Sequence, residues 1–225
     1  VYKRQEEGSV LLKNNGALPL TKDETQKITL LGFSSYYPVQ GGDMGSSFVE
    51  NTGTDADTVD MVQAFKAKGF SMNQTVADMY EALQPTFKSE VQSWGGTIEY
   101  NHITAPSTTG VFSSKEPSQA ALDGQNAAWK DSMNDNNVMI VTIARSASEN
   151  GTYQPGTAGV DPTQNLNQTD PLGLSDDERD LIQAAVDAKA SNGGKVIVLL
   201  NNASAMEVQE IQDNACLLYT SDAAD

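Results

Sequence analysis

One carboxylate of the sequence, Glu149, stands where a side chain could take part in proton transfer. It lies in the segment 145–151, RSASENG, directly after the clearest apolar stretch of the chain. Ligands of open α/β sheets bind beyond the carboxyl ends of the strands, and a rigid sheet would hold this loop in place. A carboxylate there can donate or accept a proton, but it can equally be a solvated loop side chain. The residues alone leave both interpretations open.

A second loop, 41–47, follows the first predicted strand and has the sequence GGDMGSS. Its glycines would let the backbone approach a ligand closely, and Asp43 and Ser46 supply polar side chains. A flexible surface loop is the alternative that the residues alone favour. The glycine spacing does not fit a dinucleotide-binding fingerprint, and no Gly-Lys-Ser/Thr phosphate loop occurs. These absences disfavour a nucleotide-binding domain, and we expect no cofactor.

Other residue types that could carry chemistry are scarce. His102 is the single histidine and Cys216 the single cysteine, so neither a Ser-His arrangement with a visible partner nor a zinc site is supported. Trp94 and Trp129 could stack on sugar rings, but packing in the interior is the preferred interpretation.

Strand and helix patterns alternate along the chain. Short apolar runs predict strands at 27–32, 96–100, 137–144 and 196–200. Helical patterns cover 58–68, 73–93 (interrupted or ended near Pro85) and 119–133, and a helix after Ser175 extends to about Ala190. Ser175 and Glu178 form a capping box at its start. The alternation predicts an α/β fold with a mainly parallel sheet sandwiched by helices.

Composition narrows the class of partner. The formal net charge of −16 over 225 residues repels phosphate backbones, so we expect no nucleic-acid partner. The same charge argues against docking on anionic membranes, and no apolar run approaches the roughly 20 residues of a membrane span. A neutral sugar is indifferent to this field.

The block 7–20, EGSVLLKNNGALPL, reads as a helix end, a turn at 14–16 and an exit strand. Pro19 prevents the helix from continuing. The same string resembles the E-S-x-V-L-L-K-N-x-x-x-L-P-L signature of glycoside hydrolase family 3. In that family it marks the entry from the catalytic barrel into the second, α/β sandwich domain.

Three later stretches extend the resemblance. Segment 174–182 is similar to the family's L-S-x-x-E-x-x-L-I helix, and 195–207 to its K-x-V-V-I-L-N-x-x-x-x-M-E strand and loop. Segment 145–151 resembles R-x-S-G-E-G, whose Glu is the general acid/base in many members. Arg145 and Glu149 keep the family separation, while the residues between and after them differ from the pattern.

The resemblance implies a β-glucosidase-like retaining enzyme that spans two domains. Its nucleophile would be an aspartate of an upstream barrel domain of the same polypeptide, absent from this sequence. Glu149 would be the acid/base here, and we expect the fragment alone to be inactive. The predicted substrate contacts to the carbohydrate are Arg145, Ser148, Asp43 and Ser46. A non-catalytic α/β domain that binds carbohydrate or serves as a scaffold is the alternative.

The two ends of the chain differ in character from the rest. Residues 1–5 read as the in-frame translation of a transposase adapter used in sequencing libraries, and residues 216–225 as the same adapter from the other strand. Such segments are excluded from fold reasoning. We therefore expect the natural domain to cover 6–215 and to be incomplete at its C-terminal end.

Overall fold

A computed structural model of the chain describes residues 9–25, 27–38, 59–86, 89–93, 96–100, 116–145, 173–202, 206–214 and 217–222. The main feature is a five-stranded sheet with the strand order β1-β7-β6-β5-β2. Its strands are β1 (Ser9–Asn14), β2 (Ile28–Leu31), β5 (Val138–Arg145), β6 (Lys195–Asn202) and β7 (Leu217–Asp222). Strands β2, β5, β6 and β7 run parallel, and β1 pairs antiparallel with β7. A separate antiparallel pair consists of β3 (Ser89–Ser93) and β4 (Gly96–Tyr100).

Five α-helices accompany the strands in the described residues: α1 (Met61–Ala67), α2 (Gln74–Leu83), α3 (Gln119–Gln125), α4 (Asp176–Asn192) and α5 (Gln209–Asn214). Short 3-10 turns lie at Phe33–Ser35, Gln84–Thr86 and Asp131–Met133. No helix among the described residues is long and apolar enough to cross a membrane.

The side chains of the central strands alternate between two apolar clusters. Val138 and Ile140 of β5 belong to one cluster, against which Val62 and Phe65 of α1 pack. The intervening side chains of β5 belong to the other cluster, together with residues of α2, α3, α4 and α5. Because successive side chains of a strand point to opposite faces, the sheet is covered on both sides. This confirms the predicted α/β fold with a mainly parallel sheet between helices.

The opening block folds differently from the prediction. Residues Val10 to Leu12 lie in strand β1 rather than at a helix end, and residues 17–20, predicted as an exit strand, form no strand. The turn itself is confirmed: Gly16 has φ 80°, and Asn14 Oδ1 accepts hydrogen bonds from the N–H groups of Ala17 and Leu18. Pairing with β7, more than two hundred positions away, determines the conformation of β1.

Two predicted helices are shorter than expected. Helix α2 ends at Leu83, Pro85 lies in a 3-10 turn, and residues 89–93 form a strand. Helix α3 ends at Gln125 because Asn126 is extended (φ −156°). The helix predicted at 58–68 begins only at Met61, and Val59, which precedes it, is 68% exposed.

Strand β7 lies beyond the predicted C-terminal limit of the natural domain. Residues 217–222, which we assigned to the adapter-like end, pair with β1 and β6 as strand β7. The natural domain at 6–215 stays a prediction.

Candidate functional site

The two loops that the sequence singled out follow two neighbouring strands of the sheet. Strands β2 and β5 are parallel neighbours, with Leu31 paired to Val141. The chain continues from β2 towards the loop 41–47, and from β5 into the segment that begins at 146. Asp43, Ser46, Ser148 and Glu149 lie outside the described residues. The structure therefore describes the residues that lead into both loops, which are the stem 32–38 after β2 and the last residues of β5, and these meet at the carboxyl edge of the sheet.

The stem after β2 is packed tightly against β5. Gly32 has φ 92°, and a Cβ at this position would lie 2.3 Å from the carbonyl oxygen of Thr142. Ser35 Oγ lies 2.7 Å from both Thr142 Oγ1 and the carbonyl oxygen of Leu31. Only glycine accommodates this backbone and this approach together. The first residues after β2 are thus held rigidly over the neighbouring strand.

Tyr80 of helix α2 supports this stem and stacks on Tyr36 of the stem. The Tyr80 hydroxyl accepts a hydrogen bond of 2.9 Å from the Gly32 N–H. The Tyr36 ring stacks on Tyr80 with centroids 4.8 Å apart, and its hydroxyl donates to the Leu30 carbonyl. Burial raises the pKa of the Tyr36 and Tyr80 hydroxyls well above the usual value, so both stay neutral and keep these hydrogen bonds.

Strand β5 ends in a buried ion pair. The Arg145 side chain is fully buried, and its Nη1 and Nη2 donate to Glu178 Oε1 and Oε2 at 2.6 and 2.9 Å. Nη2 also donates to the Gly173 carbonyl at 2.7 Å, and Nη1 to that of Ala144 at 2.8 Å. The planar guanidinium matches the carboxylate in a bidentate arrangement, which is the strong form of this interaction. Arg145 was predicted to contact substrate, whereas its described contacts are structural.

Glu178 joins this ion pair to the first turn of helix α4. Its Oε2 accepts from the Ser175 N–H at 2.8 Å, and its own N–H donates to Ser175 Oγ at 3.2 Å. These two bonds are the predicted capping box, which the structure confirms. The same carboxylate therefore caps the helix and binds Arg145.

A second buried carboxyl, Glu116, lies near this pair. Its Oε1 accepts a hydrogen bond of 2.6 Å from the Phe33 N–H, which ties the residue before α3 to the stem after β2. Burial raises the pKa of Glu116 well above its usual range; the charges of Glu178 and Asp177 reinforce this shift, and the Phe33 N–H and the Arg145 charge oppose it. Nothing in the sequence around Glu116 signals burial, and we did not predict a role for it.

Of the remaining candidates Trp129, Trp94 and His102, the structure describes only Trp129. Trp129 is completely buried, and its Nε1–H donates to Asp123 Oδ1 at 2.8 Å, which confirms packing as its role. Trp94 and His102 lie outside the described residues. Within the ranges that the structure covers, no group of His, Cys, Asp and Glu side chains is placed to hold a metal ion.

Comparison with solved structures identifies the fold. Beta-glucosidase 3B from Thermotoga neapolitana, solved in complex with alpha-D-glucose, is 23% identical with a TM-score of 0.66, covering 99% of this chain and 26% of that one. The GH3 beta-glucosidase from Bifidobacterium adolescentis is 18% identical with a TM-score of 0.54, covering 98% and 24%. The beta-glucosidase from Listeria innocua, in complex with isofagomine, is 15% identical with a TM-score of 0.54, covering 96% and 22%.

At these identities the likeness establishes the fold, and this chain spans about a quarter of the length of those enzymes. No curated protein matches the sequence. The sequence does match the glycosyl hydrolase family 3 C-terminal domain over residues 9–220. On that match, together with an α/β fold shared with family 3 β-glucosidases, the chain belongs to glycosyl hydrolase family 3, in the part that forms its C-terminal domain.

Proposed function

We propose that this domain supplies the general acid/base to a retaining, β-glucosidase-like glycoside hydrolase, and that Glu149 is that residue. The nucleophile would be an aspartate of a barrel domain that precedes this one in the same polypeptide. The observation that carries the proposal is the position of Glu149 in the sequence. It follows Arg145 by four residues, and Arg145 is held rigidly at the carboxyl edge of the sheet by Glu178.

The chemistry requires two carboxyl groups on opposite sides of the scissile bond. The barrel aspartate attacks the anomeric carbon while protonated Glu149 gives its proton to the leaving oxygen, so that a glycosyl-enzyme ester and a free alcohol form. Glu149, now ionised, then takes a proton from water, and the water oxygen displaces the aspartate. Retaining enzymes hold the two carboxyl groups about 5–5.5 Å apart. This domain would supply one of the two.

The predicted sugar contacts follow two neighbouring strands in the sequence. Asp43 and Ser46 follow β2 and Ser148 follows β5, and these strands are parallel neighbours. Short polar side chains of this kind can accept and donate hydrogen bonds to sugar hydroxyls. Arg145 enters the proposal as a positioning residue, because its side chain is buried and bound to Glu178 and Gly173.

The decisive experiment is Glu149→Ala in the enzyme that carries both domains. The aryloxide of an activated aryl β-glucoside leaves without being protonated, whereas the alkoxide of an alkyl β-glucoside must take a proton from the acid as it leaves. We expect bond cleavage in the alkyl β-glucoside to slow by about 10²–10⁴-fold and cleavage in the aryl β-glucoside to slow far less. Added azide, a small anionic nucleophile, should speed turnover of the aryl substrate and yield a glycosyl azide, because it replaces the base-activated water.

Glu81→Ala is the matched control, because Glu81 is an exposed glutamate on helix α2. It should leave both substrates unaffected. Equal and small losses with both substrates for Glu149→Ala would reject the assignment. That result, together with undiminished sugar binding by the domain, would favour the non-catalytic carbohydrate-binding alternative.

A further inference from the structure

The segment 146–172 begins and ends at one buried guanidinium. Arg145 immediately precedes the segment and Gly173 immediately follows it. Arg145 Nη2 donates to the Gly173 carbonyl at 2.7 Å, and both Nη atoms bind Glu178. Glu178 stands in the first turn of helix α4 and Arg145 at the end of strand β5. One ion pair thus fixes both ends of the segment to the two most regular elements of the fold.

We propose that Arg145 and Glu178 are a positioning pair for the acid/base of this domain. The inference rests on the function proposed above, since Glu149 lies within the segment whose ends the pair holds. A reacting group that is misplaced by about 1 Å can lose about 10²-fold in rate. Fixing the two ends of the segment reduces the conformations available to it. The pair acts on the reaction through Glu149 and does not itself touch the substrate.

The contacts of the pair require an arginine at 145 and a glutamate at 178. Arg145 contacts a carboxylate and a backbone carbonyl at once, which requires the planar fork of donors that lysine lacks. Glu178 accepts from Arg145 and from the Ser175 N–H with the same oxygen, at 2.9 and 2.8 Å. Arg145→Lys keeps the charge but loses the fork. Glu178→Gln keeps the shape and one carbonyl acceptor but loses the charge.

A purely structural role would lower the amount of folded enzyme and affect every substrate alike. A positioning role predicts a selective loss on substrates that need protonation. We therefore compare kcat and KM for an alkyl and for a dinitrophenyl β-glucoside in the two-domain enzyme, below the unfolding temperature of each variant. For Arg145→Lys and Glu178→Gln we expect kcat/KM, which reports cleavage of the glycosidic bond, to fall by about tenfold or more with the alkyl substrate and by less than about threefold with the aryl one. With the aryl substrate kcat and KM should fall together, because a misplaced base also slows hydrolysis of the glycosyl-enzyme that both substrates form.

An exposed ion pair between helices α4 and α5 provides the control. Arg179 Nε donates to Glu210 Oε1 at 2.7 Å, with about half of each side chain exposed. Arg179→Lys and Glu210→Gln make the same chemical changes in this exposed pair. They should leave the hydrolysis of both substrates unaffected. A selective loss in the variants of the buried pair, absent from these controls, supports positioning. Equal losses with both substrates overturn it.

A second measurement separates this inference from the proposed function. In a Glu149→Ala background, Glu178→Gln should cause no further selective loss on the alkyl substrate, because the group that it positions is gone. If the selective losses of the two substitutions simply add, the positioning role through Glu149 is wrong. If Glu149→Ala itself shows no selective loss, the proposed function fails. If Glu149→Ala shows the selective loss but the Arg145 and Glu178 variants do not, only the positioning role of the pair is wrong. Should one variant not fold, the other decides by the same criteria.

Discussion

The backbone N–H of Phe33 donates a hydrogen bond of 2.6 Å to Glu116 Oε1, across 83 positions of sequence. Both residues are buried. Burial raises the pKa of Glu116 well above its usual value, the Phe33 N–H opposes the shift, and the nearby charge of Glu178 adds to it. The Glu116 carboxyl therefore keeps its proton at pH values at which an exposed glutamate is ionised.

The shifted pKa of Glu116 predicts a pH-dependent stability. Between the model-compound value of 4.5 and the higher folded pKa, the folded state binds more protons than the unfolded state. The contribution of Glu116 to the free energy of unfolding is therefore fully present below pH 4.5, and it is lost as the pH rises through the pKa of the folded state. Glu116→Gln keeps an acceptor for Phe33 and cannot ionise. Its free energy of unfolding relative to the wild type should rise with pH by at most about 1.4 kcal/mol per unit.

Urea unfolding between about pH 4 and pH 8 measures this difference. Glu81→Gln, which changes an exposed glutamate of helix α2, is the control and should run parallel to the wild type. If Glu116→Gln also runs parallel to the wild type, Glu116 ionises normally in the folded protein.

Gly32→Ala should be strongly destabilising. The added Cβ would lie 2.3 Å from the Thr142 carbonyl oxygen, and a φ of 92° is unfavourable for any other residue. Backbone strain alone costs about 1–3 kcal/mol, and the displaced strand β5 adds to it. Gly124→Ala in helix α3, where no atom lies within 4 Å of the new Cβ, should instead stabilise by about 0.5–1 kcal/mol. Thermal unfolding of the two variants tests the contrast, and similar effects in both would contradict it.

Ser175→Ala should destabilise helix α4 by about 1 kcal/mol. The Ser175 hydroxyl accepts the Glu178 N–H at 3.2 Å and forms one half of the capping box. Ser175→Thr retains an acceptor at the same place and should stay within a few tenths of a kcal/mol of the wild type. Chemical denaturation of both variants is the measurement. A threonine variant as unstable as the alanine variant would show that the hydroxyl is not what stabilises the helix start.

Local patterns predicted the centre of the fold. Strands β5 and β6 are apolar runs bounded by polar residues, and both occur where expected. Helix α4 begins at the predicted capping box and ends where Gly193 adopts φ 68°. Such signals act within a few residues, so the sequence alone is sufficient for them.

Pairing between strands decided the elements that the sequence missed. Residues Val10 to Leu12 form β1 because β7 pairs with them, and no local pattern announces this partner. Residues 89–93 were included in a helix, yet they pair with 96–100 after the chain turns at Pro85. A propensity is a weak prior where a partner strand supplies the hydrogen bonds.

The site was predictable in its location but not in its buried contacts. Adjacent parallel strands imply that the loops after β2 and β5 leave one edge of the sheet, and their stems do. The sequence marked Glu178 as a capping residue and Arg145 as a substrate contact, but their separation of 33 positions hid the ion pair. Glu116 carried no signal, because burial of a carboxyl depends on what surrounds it in three dimensions.

The buried Arg145–Glu178 pair predicts a large coupling energy. Arg145→Met leaves the Glu178 carboxylate buried without the guanidinium, and Glu178→Leu leaves the guanidinium without the carboxylate. Removing one partner of such a pair costs about 3–5 kcal/mol, because a buried charge loses its compensation. The double variant Arg145→Met/Glu178→Leu leaves neither charge of the pair, so it should cost clearly less than the sum of the single variants. The exposed pair Arg179–Glu210, with its own 2.7 Å contact, should show a coupling of about 0–1 kcal/mol in the same urea-unfolding cycle. Additive costs at Arg145 and Glu178 would mean that the two side chains stabilise the fold independently, and the ion pair would then not be what fixes the end of β5 to helix α4.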